Sequence, residues 1–357
     1  MARSGDPPEG TPEGLPGGGE DEYRSVVFDE SFVRAARLQE YSARERLAEH
    51  TDAVRRRPAW RPRGGSRPGA LALVLIVALA FAAAIYAGAR PFQPLPDRPA
   101  EPLRSTIVPL APRGPVPGGH PDELYAHSPA AAFHSGAAGV ALPPARRTAH
   151  FTESQVTAAL STVKDYLVRS ALDPDVLTGG SVRPVRLLLD PDQLAQFDRS
   201  VESPADDGRH AATGWLVRFD PDEVALAATA VRARGTIRVT EAVSDALEVT
   251  TDHTFVYALR PAGADGDTAA ASLFTVRREL RFRLDREDLR MHRTEVVSSR
   301  VLAGPQSCSA DPAGAMRPLM AGDRATAEGP AVTDPYARDR AATPLCGTLA
   351  PHAQPTR

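Results

Sequence analysis

Lysine is almost missing from this chain: Lys164 is the only one, and arginine supplies the rest of the 42 basic residues. Set against 45 aspartates and glutamates, these leave a net charge of -3, so the chain lacks the cationic excess that nucleic-acid binding draws on, and no nucleic-acid partner is expected. Cysteine is equally scarce. Two residues, Cys308 and Cys346, exclude a disulfide-dense scaffold, and the absence of any Cys-x-x-Cys pair excludes a local zinc knuckle. The chain also has no G-x-S-x-G elbow, no P-loop, no G-x-G-x-x-G turn and no H-x-x-x-H pair. No catalytic residue, cofactor or metal is therefore expected, and the sequence reads as a non-enzymatic protein.

What the sequence does contain is one long uncharged run, GALALVLIVALAFAAAIYAGA, from Gly69 through Leu79 to Ala89. At about 1.5 Å per residue it makes roughly 31 Å of helix, close to the ~30 Å of hydrocarbon in a bilayer. A soluble core helix would keep a polar face, and this one has none. The reading is a single membrane-spanning helix. Arg55, Arg56, Arg57, Arg61, Arg63 and Arg67 precede it, whereas Arg90, Arg98 and Arg104 follow it diluted by Asp97 and Glu101. Positive charge is retained on the inner side, so the N-terminus is expected in the cytoplasm and the C-terminal part outside the cell membrane. The competing reading is a signal peptide cleaved after Ala89, but the apolar run exceeds an ordinary signal core and a long segment precedes it.

Composition then divides the chain. Proline and glycine, 34 and 27 residues, concentrate outside the middle of the C-terminal half. Residues 1–22 are expected to be disordered and cytoplasmic. Residues 23–58 carry a juxtamembrane helical motif in which Phe28, Phe32 and Val33 have no core to receive them. Such a segment suits a cytoplasmic protein partner engaged through residues 23–46, or an anionic lipid surface facing Arg34, Arg37, Arg44 and Arg46. Residues 90–147 read as a proline-rich stalk, 148–304 as one folded domain and 305–357 as an irregular tail. On the outer side Cys308 and Cys346 are expected to pair, closing a loop of about 38 positions worth on the order of 3 to 4 kcal/mol in the chain-entropy model.

The run EYRSVVFDESFVRAARLQEYSARER, the single span, and the later segments RTAHF and LLLDPDQL resemble an uncharacterised family of actinobacterial single-pass membrane proteins. That resemblance implies an envelope location and brings no activity, ligand or catalytic residue with it.

Within 148–304, Thr152 and Gln155 form a capping box ahead of Val156, Ala159, Leu160, Val163, Tyr166, Leu167 and Ser170 at helical spacing. Asp173-Pro174 ends that helix. Val185–Leu189 reads as a short buried strand or connector, and Asp190-Pro191 caps a helix through Phe197. Period-two patterns follow in five runs: Trp215/Val217/Phe219; Val231 to Val239; Leu247 to Leu259; Phe274 to Leu284; and Leu289, Met291, Val297 and Val301. Asp285–Asp288 is expected as the hairpin loop between the last two. The fold class is α+β, a long helix on a curved antiparallel sheet, by analogy cystatin-like or NTF2-like. Arg277, Arg281 and Arg283 fall on one side of a strand and form a candidate patch for an anionic ligand, a wall polymer bearing phosphate or carboxylate. A solvated strand face is the plainer reading. His253 and His292 are expected in strands as half-buried imidazoles. The functional expectation is an envelope adaptor or sensor joining an outer binding domain to a cytoplasmic motif; the alternative is a membrane-anchored wall-modifying enzyme.

Overall fold

In a computed structural model, the residues described are residue 73 and residues 75–81, 99–243, 245–264, 269–327, 329–338 and 345–355. The chain divides into two compact units, Met1–Phe92 and Gln93–Arg357. In the first, the described residues are helical, and Leu73, Leu75, Ile76, Val77, Leu79 and Phe81 are each 57% to 69% exposed. Among the described residues no helix is long and apolar enough to cross a membrane. Gly69, Ala89, Phe28, Phe32 and Val33 lie outside the described residues.

The second unit is α+β, organised on alternation. β4 (Arg232–Val243), β5 (Ala246–Pro261), β6 (Ser272–Asp285) and β7 (Glu295–Gly304) run as an antiparallel meander. The register sets Leu247 against Leu284, Val249 against Phe282, Phe255 against Val276 and Tyr257 against Phe274, so one face becomes continuously apolar. Against it lies α2 (Glu153–Ala171), with the Tyr166 and Phe282 rings edge-on at 5.2 Å and the Tyr257 hydroxyl donating to the Ala171 carbonyl at 2.8 Å. The Thr152–Gln155 box is present in both directions, and the helix ends at Leu172, before Asp173-Pro174.

The sheet as a whole is mixed, not antiparallel. β1 (Arg104–Ala111) pairs in parallel with β7, and two short C-terminal strands, β8 (Val332–Thr333) and β9 (Gly347–Leu349), continue beyond it in parallel. With β2 (His134–Ser135) on β4 and β3 (Val224–Leu226) on β5, the sheet has nine strands. For residues 99–147 this corrects the expectation of a stalk over 90–147. The prolines there do not enforce an extended stalk: Pro121 opens α1 (Pro121–Ala126) and Pro129 opens a 3-10 turn, first-turn positions where the missing N–H costs nothing. Pro109 is the last residue of β1 in register with β7, and Leu110 is the first in register with β9. Leu124, Tyr125, Ala130 and Phe133 from this region cover Val256, Ala258, Ala271 and Leu273 on the outer face of the sheet.

The tail after residue 304 is likewise folded against the body. Ala313 and Met316 are buried in the main core, and Phe219 bridges Met316. Cys308 and Cys346 form the disulfide, Cα to Cα 5.6 Å.

Three local expectations are corrected. Trp215, Val217 and Phe219 form no strand: α6 (Ala212–Trp215) leads into a buried extended segment whose amides bond to Ser170 (from Val217, 2.7 Å) and Leu177 (from Phe219, 2.8 Å), the latter in α3 (Pro174–Leu177). Val185–Leu189 begins in α4 (Arg183–Arg186), not in a strand, and Asp190 caps a 3-10 turn that runs on into α5 (Leu194–Glu202), beyond Phe197. The supposed hairpin loop is the start of α7 (Arg286–Met291), because Asp285 accepts from the amides of Glu287 and Asp288 while Asp288 accepts from that of Asp285. Leu289 and Met291 therefore lie in a helix, and His292 ends it in the left-handed region, φ 52°.

Candidate functional site

Of the cationic patch expected at Arg277, Arg281 and Arg283, Arg277 is closed off, Arg281 is exposed and Arg283 is half-buried. Arg277 is 3% exposed and forks onto Asp252 with both bonds at 2.8 Å, while Glu279 approaches at 3.0 Å. The Ala337 and Arg338 carbonyls accept its remaining donors from above. Arg281 faces Glu248 at 3.8 Å, and Arg283 lies in register with Glu248 and Glu295. Opposite charges alternate across the strands, so the row neutralises itself.

The neighbouring residue is more unusual. Arg278 points to the other face and is 0% exposed. Its guanidinium donates to Ser170 Oγ at 2.8 Å and to the Trp215 carbonyl at 2.7 Å, at the C-terminal ends of α2 and α6. Helix C-termini carry partial negative charge, which favours a cation there. Tyr166 also donates its hydroxyl to the Trp215 carbonyl, at 2.7 Å. Directly across from Arg278, His253 is also fully buried, its imidazole held down to about 4 by burial and therefore neutral at pH 7. Gly235 lies opposite His253, and a Cβ on it would come within 2.0 Å of the ring. Arg278 thus clamps helix ends to the sheet, whereas neither ring nitrogen of His253 has a hydrogen-bond partner.

The open cleft lies elsewhere and is acidic. About 180 Å³ in volume, it is lined by Asp190, Pro191, Asp192, Asp285, Glu287, Asp288, Met291 and Arg293. Two capped turns build it: Asp190 at the head of the 3-10 turn Pro191–Gln193, and the Asp285–Asp288 box of α7. Burial, reinforced by Asp285, Asp190 and Glu295, pushes the Asp288 carboxyl up to about 7. Asp190 is raised for the same first reason, with Asp192 and Asp285 adding to it, and burial likewise raises Glu295. Such a cleft attracts a cationic or hydrogen-bond-donating group.

Beside it the chain enters the domain. The amides of Ala100, Glu101 and Leu103 donate to Asp192 (3.3 Å), Glu295 (2.7 Å) and Gln196 (2.8 Å). Gln193, 1% exposed, donates to the Glu101 carbonyl at 2.7 Å and the Val296 carbonyl at 3.0 Å, and accepts from the Val296 amide at 2.9 Å. The segment LLLDPDQL thus supplies a cleft wall and the clamp on the entering chain. RTAHF acts at another corner: its His150 pairs with Glu241, and Phe151 is buried beneath Arg286, 4.7 Å from guanidinium carbon to ring centroid.

Sequence reasoning missed the cleft because its acids come from two segments about 95 positions apart, each read as a turn. The repeated Asp-x-Asp and Asp-x-x-Asp spacing was the available signal. His120, His127 and His134 are exposed, and among the described residues no group of three His, Cys, Asp or Glu is placed to hold a metal ion. The turn at 206–210 is a local pair, His210 Nδ1 lying 2.6 Å from Asp207. Comparison with protein-family models, with curated proteins and with solved structures returned no match to this chain.

Proposed function

We propose that this is a bitopic, non-enzymatic membrane protein, an envelope adaptor or sensor. Residues 23–46 face a cytoplasmic partner, and the domain of residues 99–355 binds an envelope or wall ligand outside the membrane. The observation that carries this reading is the run from Gly69 to Ala89, whose described residues are helical with every large apolar side chain exposed. Lipid is the medium that makes such a helix favourable, since apolar surface left in water costs about 25 cal/mol per Å². The Cys308–Cys346 disulfide supports an oxidising location for the domain. The space between α2 and the sheet is filled by core side chains such as Tyr166, Tyr257 and Phe282, and the acidic cleft offers a ligand site next to the entering chain.

Cysteine labelling in intact cells tests the topology. With a reagent that does not cross membranes, Ser203→Cys should be modified and Ser25→Cys should not; the reverse pattern, or labelling of both, overturns it. A second reading, a wall-modifying enzyme, draws on Asp288, a carboxyl held near neutrality among other carboxylates as a general acid would be. Turnover of isolated wall polymer that vanishes in Asp288→Asn would favour that reading over the first.

A further inference from the structure

Among the described residues, the end of the chain is held on the body by two short strands, by Tyr336 packed on Phe133, and by the Arg277 guanidinium, which donates to the Ala337 and Arg338 carbonyls. β9 is in register with β1 only at Leu110 and Ala111, and β8 with β9 only at Val332 and Thr333. Leu349, Ala350 and Ala353 join Val108, Leu110 and Leu302 in a small apolar cluster separate from the main core. Between these strands, Tyr336 meets Thr275 at 3.0 Å, and Thr254 donates to the Pro335 carbonyl at 3.1 Å. None of the described residues from 329 onward belongs to the main core cluster, which closes with Met316 and the flanking Met320. The disulfide fastens this segment covalently to residue 308. Both cysteines are half-buried, and Leu345 beside them is 85% exposed.

We infer that Cys308–Cys346 is a redox latch: its reduction lets the described residues 329–338 and 345–355 lift from the sheet while the described residues of the body up to Met320 stay folded. The lifted segment would uncover the Leu110 end of β1, the apolar side chains Val108 and Leu302, and the Arg277–Asp252 pair, a strand edge and apolar strip of the kind that receives an extended peptide. The step balances with a dithiol as reductant. One thiolate attacks a sulfur of the disulfide, the S–S bond breaks and a mixed disulfide forms; the second thiol then resolves it. Two electrons pass to the cystine, leaving two cysteine thiols and the reductant's own disulfide.

Hydrogen exchange on the full chain in detergent, with and without dithiothreitol, tests the latch. Reporter amides are those of residues 110–111 and 347–349, where β9 meets β1. On reduction these should exchange at least about tenfold faster while 153–171 and 246–285 keep their protection. Cys346→Ser should reproduce the effect without reductant; if that variant does not fold, the reduced wild-type chain decides. Three results overturn the inference: a disulfide that dithiothreitol does not reduce in the folded chain, unchanged exchange where β9 meets β1 after reduction, or protection lost throughout 246–285.

Discussion

Arg278 and His253 stand directly opposite one another on β6 and β5, both fully buried, and the guanidinium bonds to a hydroxyl and to backbone carbonyls. Its binding energy is therefore spent on fixing the ends of α2 and α6 to the sheet. Arg278→Ala leaves Ser170 Oγ without its donor and the Trp215 carbonyl with Tyr166 alone, opens a cavity, and should cost on the order of 3 to 5 kcal/mol. Arg278→Met refills the volume without a charge and should cost less. Denaturant midpoints at constant m-value check the order of the two variants.

The pH dependence of stability should contain two opposing slopes. His253 titrates near 4 when folded against 6.5 ordinarily, so the unfolded chain binds the extra proton and stability falls as pH drops from about 6.5 to about 4. Asp288 titrates near 7 when folded against 3.8, so its contribution is fully present below about 4 and is lost as pH rises through about 7. Between about pH 4 and 6.5 these two contributions oppose one another. Asp288→Asn should unmask the acid sensitivity of His253, and His253→Gln should unmask the alkaline loss due to Asp288, both read from thermal melts between pH 4 and 8.

Gly235 is required by the imidazole across from it. Gly235→Ala places a methyl within 2.0 Å of His253 and should destabilise by roughly 1 to 3 kcal/mol through overpacking. A double variant with His253→Ala should recover most of that loss, and coupling below about 0.5 kcal/mol would contradict the contact.

Gln193 ties the entering chain to β7. Gln193→Leu leaves the Glu101 and Val296 carbonyls without their donor and the Val296 amide without its acceptor, a cost of about 1 to 3 kcal/mol per buried group. Faster amide exchange at Glu101 and Val296, with Thr251 unaffected, is the expected signature.

Local pattern reached part of this architecture. The box at Thr152, the proline stop at 174 and the alternation of β5 and β6 are statements about neighbours in sequence, and each is realised in the fold. β1 was invisible because its partner β7 lies nearly 200 positions away and its inner half is buried on both faces, which erases the period of two. Arg278 was legible in hindsight: it occupies the apolar parity of Val276, Leu280 and Phe282, as His253 occupies that of Val249, Phe255 and Tyr257. A polar residue in an apolar row signals a buried polar group, hydrogen-bonded in Arg278 and without a partner in His253, and the cleft at Asp288 required knowing that two acidic turns meet.

The clamp at residues 100–103 fixes how this domain meets a pull on its incoming strand. β1 runs alongside β7, paired from Arg104 to Pro109 and held at its head by Gln193, Gln196 and Glu295. Traction along that strand shears the whole ladder at once instead of peeling it rung by rung, which makes the junction stiff and delivers any tug to the wall of the acidic cleft.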